Sequence, residues 1–127
     1  MPSPILGDIG QIAIVIQDLP RATAFYRDAL GLPFLFEAPG LAFFQAGSVR
    51  LMLSRAEDPE LDHPSSILYF DVEDILEAHR TLAGRGVRFR QPPHPVHNAG
   101  DRSLWLADFE DSERNIFALM AWRPNQA

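Results

Sequence analysis

Two residue types are missing from this 127-residue chain, cysteine and lysine. Without cysteine the protein has no disulfide, no thiolate nucleophile and no cysteine ligand for zinc or an iron–sulfur cluster. Without lysine it has neither Schiff-base chemistry nor the phosphate-binding lysine of a P-loop. All 11 basic side chains are therefore arginines, and these classes of chemistry are excluded.

Positive charge is also scarce, because 17 acidic residues outnumber the arginines and give a formal net charge of −6. A polyanionic partner such as nucleic acid is not expected, and a neutral or cationic small molecule suits this balance better. Residues 1–8 lack the basic and apolar regions of a signal peptide. No apolar run approaches the roughly 18 residues that span a membrane. We expect a cytoplasmic protein with no membrane partner.

The first half of the chain predicts a strand, a helix and three further strands. Residues 11–17 (QIAIVIQ) form a β-branched run that is typical of a buried strand. Asp18 is a candidate N-cap, Pro20 suits a first helical turn, and Gly31 is a candidate helix end. The three following strands are predicted at residues 33–38, 41–46 and 49–54, between glycine-containing turns.

The second half predicts the same order of elements. An acidic, proline-containing linker at residues 55–64 precedes it. Asp74 and Glu77 have the spacing of a capping box, and they open a helix that Gly84 and Gly86 end. The predicted strands are residues 66–72 before this helix and 87–90, 103–109 and 115–122 after it.

These two halves indicate a duplicated module. Residues 29–34 (ALGLPF) correspond to residues 84–89 (GRGVRF), fifty-five positions later. A repeat of this length that occurs only twice is not a solenoid. We predict a single α+β domain of two βαβββ modules, at about residues 9–54 and 65–122, whose mixed sheet curls around a cavity.

The sequence resembles the vicinal oxygen chelate superfamily, which includes glyoxalase I, bleomycin-resistance proteins and extradiol dioxygenases. Residues 12–15 (IAIV), 18–26 (DLPRATAFY) and 30–32 (LGL) are similar to the opening of these proteins. Residues 70–74 (FDVED) and 111–115 (DSERN) are similar to signatures of their second half. The likeness extends from about residue 9 to residue 122. Because this superfamily contains both enzymes and binding proteins, the resemblance predicts the fold more sharply than the function.

The resemblance implies where a metal would bind. Metal-using members place four ligands on the first and last strands of the two modules, and these positions fall on Gln11, Met52, Ile67 and Ala118. Gln11 offers only a neutral amide oxygen, and the thioether of Met52 is poorly matched to a hard divalent ion. The other two side chains have no donor atom. We therefore predict no metal at this site and no cofactor.

The histidines offer an alternative source of ligands. His94 and His97 lie in residues 91–102, a proline-rich segment that we interpret as a long loop, and Asp101 could join them. His63 lies in the acidic linker. A solvated surface loop explains these histidines better than a metal or catalytic role does, and no metalloprotease or nucleophile-elbow motif accompanies them.

Strand alternation predicts which side chains line the cavity. The predicted ligand-binding residues are Gln11, Arg50, Met52, Ile67, Tyr69, Trp105 and Ala118, with His94, His97 and Asp101 as possible loop contributors. They would form an apolar pocket with an aromatic wall and a few polar groups, which is typical of small-molecule sites. A filled core would produce the same pattern.

Four functions are compatible with these features. We predict a metal-free binding protein, similar to bleomycin-resistance proteins, that encloses an aromatic or apolar organic molecule and forms a homodimer. The alternative is a divalent-metal enzyme of the glyoxalase or dioxygenase type with non-standard ligands. A metal-free enzyme that uses Tyr69 or a loop histidine, and an interaction module without chemistry, also remain open. Whether the protein is an enzyme is therefore left undecided.

Overall fold

The computed structural model describes residues 5–125, so the expectation about the amino-terminal segment lies partly outside the described residues. The elements, in chain order, are β1 (Gln11–Val15), α1 (Leu19–Ala24), a π-helical turn (Phe25–Ala29), β2 (Phe34–Ala38), β3 (Leu41–Ala46), β4 (Val49–Ser54), a 3₁₀ turn (Pro59–Leu61), β5 (Tyr69–Asp71), α2 (Ile75–Gly84), β6 (Arg88–Phe89), β7 (His94–Asn98), β8 (Arg102–Glu110) and β9 (Ile116–Pro124). Within this part of the chain no helix has the length and apolarity needed to cross a bilayer.

The strands form two mixed sheets with matching topology. The first sheet has the order β1-β4-β3-β2, with β1 parallel to β4 and the other pairs antiparallel. The second has the order β5-β9-β8-β6, with β5 parallel to β9 and β7 also paired to β8. Each sheet therefore contains the βαβββ connectivity that the sequence predicts, with β7 as an additional strand in the second sheet, and the α+β fold class is confirmed.

One face of each sheet packs into a common hydrophobic core. Alternation in β1 and β4 buries Ile14, Leu51 and Leu53, which have at most 1% of their surface exposed. The second sheet contributes Phe109 and Phe117 to the same cluster of side chains. Burying one aromatic or aliphatic side chain of this size contributes about 1.5–3 kcal/mol to folding. The core thus fixes which alternate side chains remain on the opposite, open faces.

Helix capping follows the sequence closely. Asp18 accepts a hydrogen bond from the Arg21 amide at 3.1 Å, and Asp74 accepts one from the Glu77 amide at 3.1 Å. Both caps satisfy amide groups that a helix leaves unpaired at its first turn. The side chain of Glu77 contacts Arg80 at 3.2 Å, so only one half of the predicted capping box forms.

The first helix differs from the prediction of a continuous α-helix up to Gly31. After α1 the chain forms the π-helical turn, in which the Leu30 amide donates to the Phe25 carbonyl at 3.0 Å. Gly31 then follows with a positive φ of 73°, as expected for a glycine that ends a helix. The extra residue per turn sets the position of Tyr26, which is completely buried.

The prediction of a long loop at residues 91–102 is wrong. Residues 94–98 form β7, which pairs antiparallel with β8 and has an irregular register between Pro95 and His97. Proline lacks an amide donor, so it is tolerated in a strand that is paired on one side and irregular. The proline content suggested a loop, whereas the segment extends the edge of the second sheet.

Candidate ligand site

The open face of the first sheet carries the first group of predicted site residues. Strand register places Gln11 beside Arg50, Ala13 beside Met52, and Val15 beside Ser54. We define the open face by these six residues and by the residues of β3 and β2 that share their side of the sheet, Leu41, Phe43, Gln45, Phe36 and Ala38. The inward placement predicted for Gln11, Arg50 and Met52 is therefore consistent with the strand register.

A row of contacts orders one end of the open face. Arg50 Nε donates to Gln11 Oε1 at 2.9 Å, and Gln11 Nε2 lies 3.6 Å from Met52 Sδ. The Arg50 guanidinium lies over the Phe43 ring at 5.1 Å, and Phe43 stacks on Phe36 with centroids 4.3 Å apart. Such cation–π and stacking contacts orient the side chains that remain on an open surface.

These contacts show that the donor set does not fit a divalent metal. The amide oxygen of Gln11 already accepts a hydrogen bond from a guanidinium cation, which would repel a bound metal ion. Met52 supplies a soft sulfur, and Ile67 and Ala118 supply no donor.

The other end of the open face forms a cavity of about 850 Å³. Its apolar floor contains Ala13, Val15, Leu41 and Met52. The acidic linker, residues 55–64, borders this floor with a charged and polar rim: Arg55, Glu57, Asp58 and His63. The volume lies within the roughly 300–1,000 Å³ typical of small-molecule sites.

The predicted residues of the second module lie elsewhere in the single chain. Tyr69 is 52% exposed and borders a different cavity, of about 510 Å³, together with Leu30 and Leu32 of the first module. Ala118 is the register partner of Tyr69 and has no exposed surface. Ile67 precedes β5 instead of lying within it, because the strand is shorter than predicted. One chain therefore does not bring these residues to Gln11 and Met52 in one cavity.

The inward placement predicted for Trp105 is wrong. Its register partner is Ala121, and alternation places it on the face of Ala107 and Phe109, where it packs against the core. The Arg123 guanidinium covers its ring at 4.7 Å. Leu104, its neighbour in β8, lies on the opposite face. Residue parity alone could not decide between these two positions.

The histidines do not converge. His94 Nδ1 lies 2.9 Å from the Pro92 carbonyl oxygen, His63 Nδ1 lies 3.0 Å from the Pro64 carbonyl oxygen, and the His97 ring packs edge-on against Trp122. Asp101 accepts a main-chain hydrogen bond from Asn125 through its carbonyl oxygen. No group of three or more histidine, cysteine or acidic side chains with metal-binding geometry occurs within residues 5–125.

Sequence analysis did not identify the cluster around Asp111, which links the two modules. Its carboxylate accepts hydrogen bonds from the Tyr26 hydroxyl at 2.6 Å, from the Glu113 and Asn115 amides at 2.8 Å, and from Asn115 Nδ2 at 2.9 Å. Glu113 in turn accepts from the Gln17 and Asp18 amides. The two signature segments of the chain thus bind each other.

Burial sets the ionisation of this cluster. Desolvation of Tyr26, followed by the negative charge of Asp111, raises the pKa of the phenol well above its ordinary value near 10. The phenol therefore stays protonated and donates to the carboxylate. The cluster is a structural connection between the modules, and its residues lie outside the 850 Å³ cavity.

The chain is similar to several known proteins. The family model described as "Glyoxalase/Bleomycin resistance protein/Dioxygenase superfamily" matches residues 8–119. The uncharacterized protein YraH of Bacillus subtilis is 28% identical, over 86% of this chain and 94% of its own.

Solved structures show the same fold. A glyoxalase/bleomycin resistance protein/dioxygenase from Nocardioides has a TM-score of 0.74 at 22% identity, covering 98% of this chain and 92% of its own. A lactoylglutathione lyase from Agrobacterium tumefaciens has a TM-score of 0.72 at 22% identity, covering 93% and 96%. With the family model spanning most of the residues, the resemblance in sequence is confirmed: the chain belongs to the glyoxalase/bleomycin resistance protein/dioxygenase superfamily.

Proposed function

We propose that this protein binds a small organic molecule in the 850 Å³ cavity of the first module, without a metal at the superfamily position. The observation that carries the proposal is an apolar floor next to a rim with more negative than positive charge. Glu57 and Asp58 outnumber Arg55 among the charged lining residues. The floor would bury an apolar ring, and the rim favours a neutral or cationic group. This is binding of the bleomycin-resistance type.

A second copy of the chain would complete this site. The open face of the first sheet is bordered by the linker on one side, and Phe34, Leu35 and Phe36 of β2 are each at least 38% exposed. Contiguous exposed apolar side chains of this kind mark interaction surfaces. In a two-fold dimer, Tyr69 of one subunit could approach the open face of the other. We therefore keep Tyr69 and Ile67, which are exposed in the single chain, as proposed site residues of a homodimer, whereas the fully buried Ala118 is not retained.

The alternative of a divalent-metal glyoxalase or dioxygenase has less support. Arg50 already occupies the Gln11 amide oxygen, and His63, His94 and Asp101 are not gathered into a three-residue cluster within residues 5–125. Similarity to the lactoylglutathione lyase at 22% identity shows a shared fold, which does not transfer an activity.

Three naphthalene probes of different charge test the proposed site: 1-naphthylmethylamine, 2-naphthol and 2-naphthoate. Titrated into the full chain and followed by probe fluorescence, the amine and the naphthol should bind at least about tenfold more tightly than the carboxylate, a difference of about 1.4 kcal/mol. Ala13→Phe, which fills the floor, should abolish binding. Ala83→Phe on the exposed side of α2 is the matched control and should bind as wild type does.

A charge variant tests the role of the rim. Glu57→Gln should reduce the difference in affinity between the amine probe and the carboxylate probe. Glu73→Gln, at an exposed position outside the cavity, should leave this difference unchanged. If the carboxylate binds as tightly as the amine, or if Ala13→Phe keeps the affinity of wild type, the proposed site is wrong.

A further inference from the structure

A second cleft, of about 280 Å³, lies between α1, β6 and the turn that joins β8 to β9. Arg21 of α1, Arg88 of β6 and Arg114 of the turn all line it. It shares no lining residue with the 850 Å³ cavity. Three of the 11 arginines of an acidic protein therefore meet at one depression.

These three guanidinium groups have no ion-pair partner within 4.0 Å among residues 5–125. The cleft contains two carboxylates, but neither forms a salt bridge with an arginine. Asp111 already accepts four hydrogen bonds from the Tyr26 hydroxyl, two amides and the Asn115 side chain. Glu110 is the cross-strand partner of Arg88 in the register, yet its oxygens lie beyond that distance. The positive charge of the cleft is left without a close counterion.

Two further features characterise the cleft, a buried hydroxyl and a residue with an unusual backbone conformation. Ser112 lines the cleft, and its Oγ is buried without a hydrogen-bond partner among the described residues. A buried hydroxyl without a partner is costly to folding, and this oxygen is enclosed beneath the surface of the cleft. Arg114 has a positive φ of 67°, a conformation that is unusual for arginine and is imposed by the turn around Asp111.

We propose that this cleft binds the phosphate group of a small molecule, or inorganic phosphate, between Arg21, Arg88 and Arg114. The planar guanidinium fork matches phosphate oxygens, and such charge-assisted hydrogen bonds are stronger than neutral ones. Among the charges of the cleft, the three guanidinium groups face only one carboxylate with open acceptor sites, that of Glu110. The negative charge of a phosphate would offset the remaining positive charge. The ring of Phe25, which also lines the cleft, offers an apolar surface to an organic group attached to the phosphate.

Titration of inorganic phosphate into the full chain tests the site, at constant ionic strength and with ³¹P NMR as the readout. Wild type should show saturable binding. Arg88→Gln and Arg114→Asn should each weaken it about tenfold or more, the effect expected for one charged hydrogen-bonding group. Asparagine tolerates the positive φ at residue 114, so this variant keeps the turn. Arg80→Gln, the matched control on α2, should stay within about twofold of wild type.

Phenyl phosphate distinguishes the two sources of the anion. Tighter binding than inorganic phosphate identifies a phosphorylated organic molecule that contacts Phe25, and equal binding identifies phosphate itself. The proposal is overturned if phosphate does not saturate the protein, or if Arg80→Gln loses as much affinity as the cleft variants. Neither result would affect the 850 Å³ cavity, because the naphthalene probes report on that cavity independently.

Discussion

Replacing Tyr26 with phenylalanine removes one hydroxyl from the connection between the modules. The lost hydrogen bond, 2.6 Å long, joins the phenol to the carboxylate of Asp111. Hydrogen bonds to charged groups contribute about 1.5–3 kcal/mol. Asp111 keeps its other three donors, from Glu113 and Asn115, so the carboxylate remains partly satisfied. We expect Tyr26→Phe to lower the free energy of unfolding by about 1.5–2 kcal/mol.

Urea denaturation at pH 7 measures this loss, and the only other tyrosine of the chain supplies the control. Tyr69 is 52% exposed, so Tyr69→Phe should change the free energy of unfolding by no more than about 0.5 kcal/mol. The slope of unfolding against urea should match wild type in both variants. Equal stabilities for Tyr26→Phe and Tyr69→Phe would refute the argument.

Alkaline pH gives a second measure of the same bond. The pKa of Tyr26 is raised in the folded state, so its contribution is complete below the unfolded pKa of about 10. Above that pH the unfolded chain releases a proton that the folded chain keeps, and stability falls by about 1.4 kcal/mol per pH unit. Tyr26→Phe should lack this decline, and Tyr69→Phe should retain it. The absence of lysine and cysteine leaves few other groups that titrate there.

Four further results are expected. Zinc, nickel, manganese and ferrous iron should each leave Tm unchanged. A metal that binds the folded protein would add about 2.7 kcal/mol to its stability at a hundred times its Kd. A stabilisation by metal that Gln11→Ala removes would contradict the metal-free site. Phe44→Ala should cost about 3–5 kcal/mol because Phe44 is fully buried; a loss below 1 kcal/mol would contradict its place in the core. Asp74→Ala should cost about 1 kcal/mol by circular-dichroism melting, and Glu73→Ala much less. Analytical ultracentrifugation at micromolar concentration should show a dimer, with an interface above about 1,000 Å²; a monomer would defeat this expectation.

The fold was largely predictable because local signals and hydrophobic periodicity agree. The clearest signals each lie within a few residues of the element that they predict. They are the β-branched run that starts at Gln11, the helix caps Asp18 and Asp74, and Gly31 with its positive φ. The π-helical turn and β7 were not predictable. Each is tied to a distant partner that the local sequence does not reveal: the turn places Tyr26, which donates to Asp111, eighty-five residues away, and β7 pairs with the edge of β8.

The face on which a candidate site residue lies was predictable where the residue belongs to a regularly alternating, fully paired strand. Gln11, Arg50 and Met52 lie on one face because β1 and β4 alternate over five paired positions. The face predicted for Trp105 and the strand position predicted for Ile67 were wrong for two different reasons. Trp105 and Leu104 are both apolar, so periodicity could not select the buried one, and β5 begins two residues after Ile67. The arginine cleft joins three separate elements, so no local motif indicates it.

The irregularity in β2 has a consequence for solubility. The register passes from Phe34 opposite Phe44 to Phe36 opposite Phe43, so Leu35 is an extra residue that bulges from the edge of the first sheet. Such bulges twist an edge strand and hinder the addition of strands from other molecules. The whole of β2, FLFEA, is apolar with one charge and has the composition of a segment prone to fibrous association. Deleting Leu35 would straighten this edge, so the deletion variant should aggregate through β2 more readily than wild type.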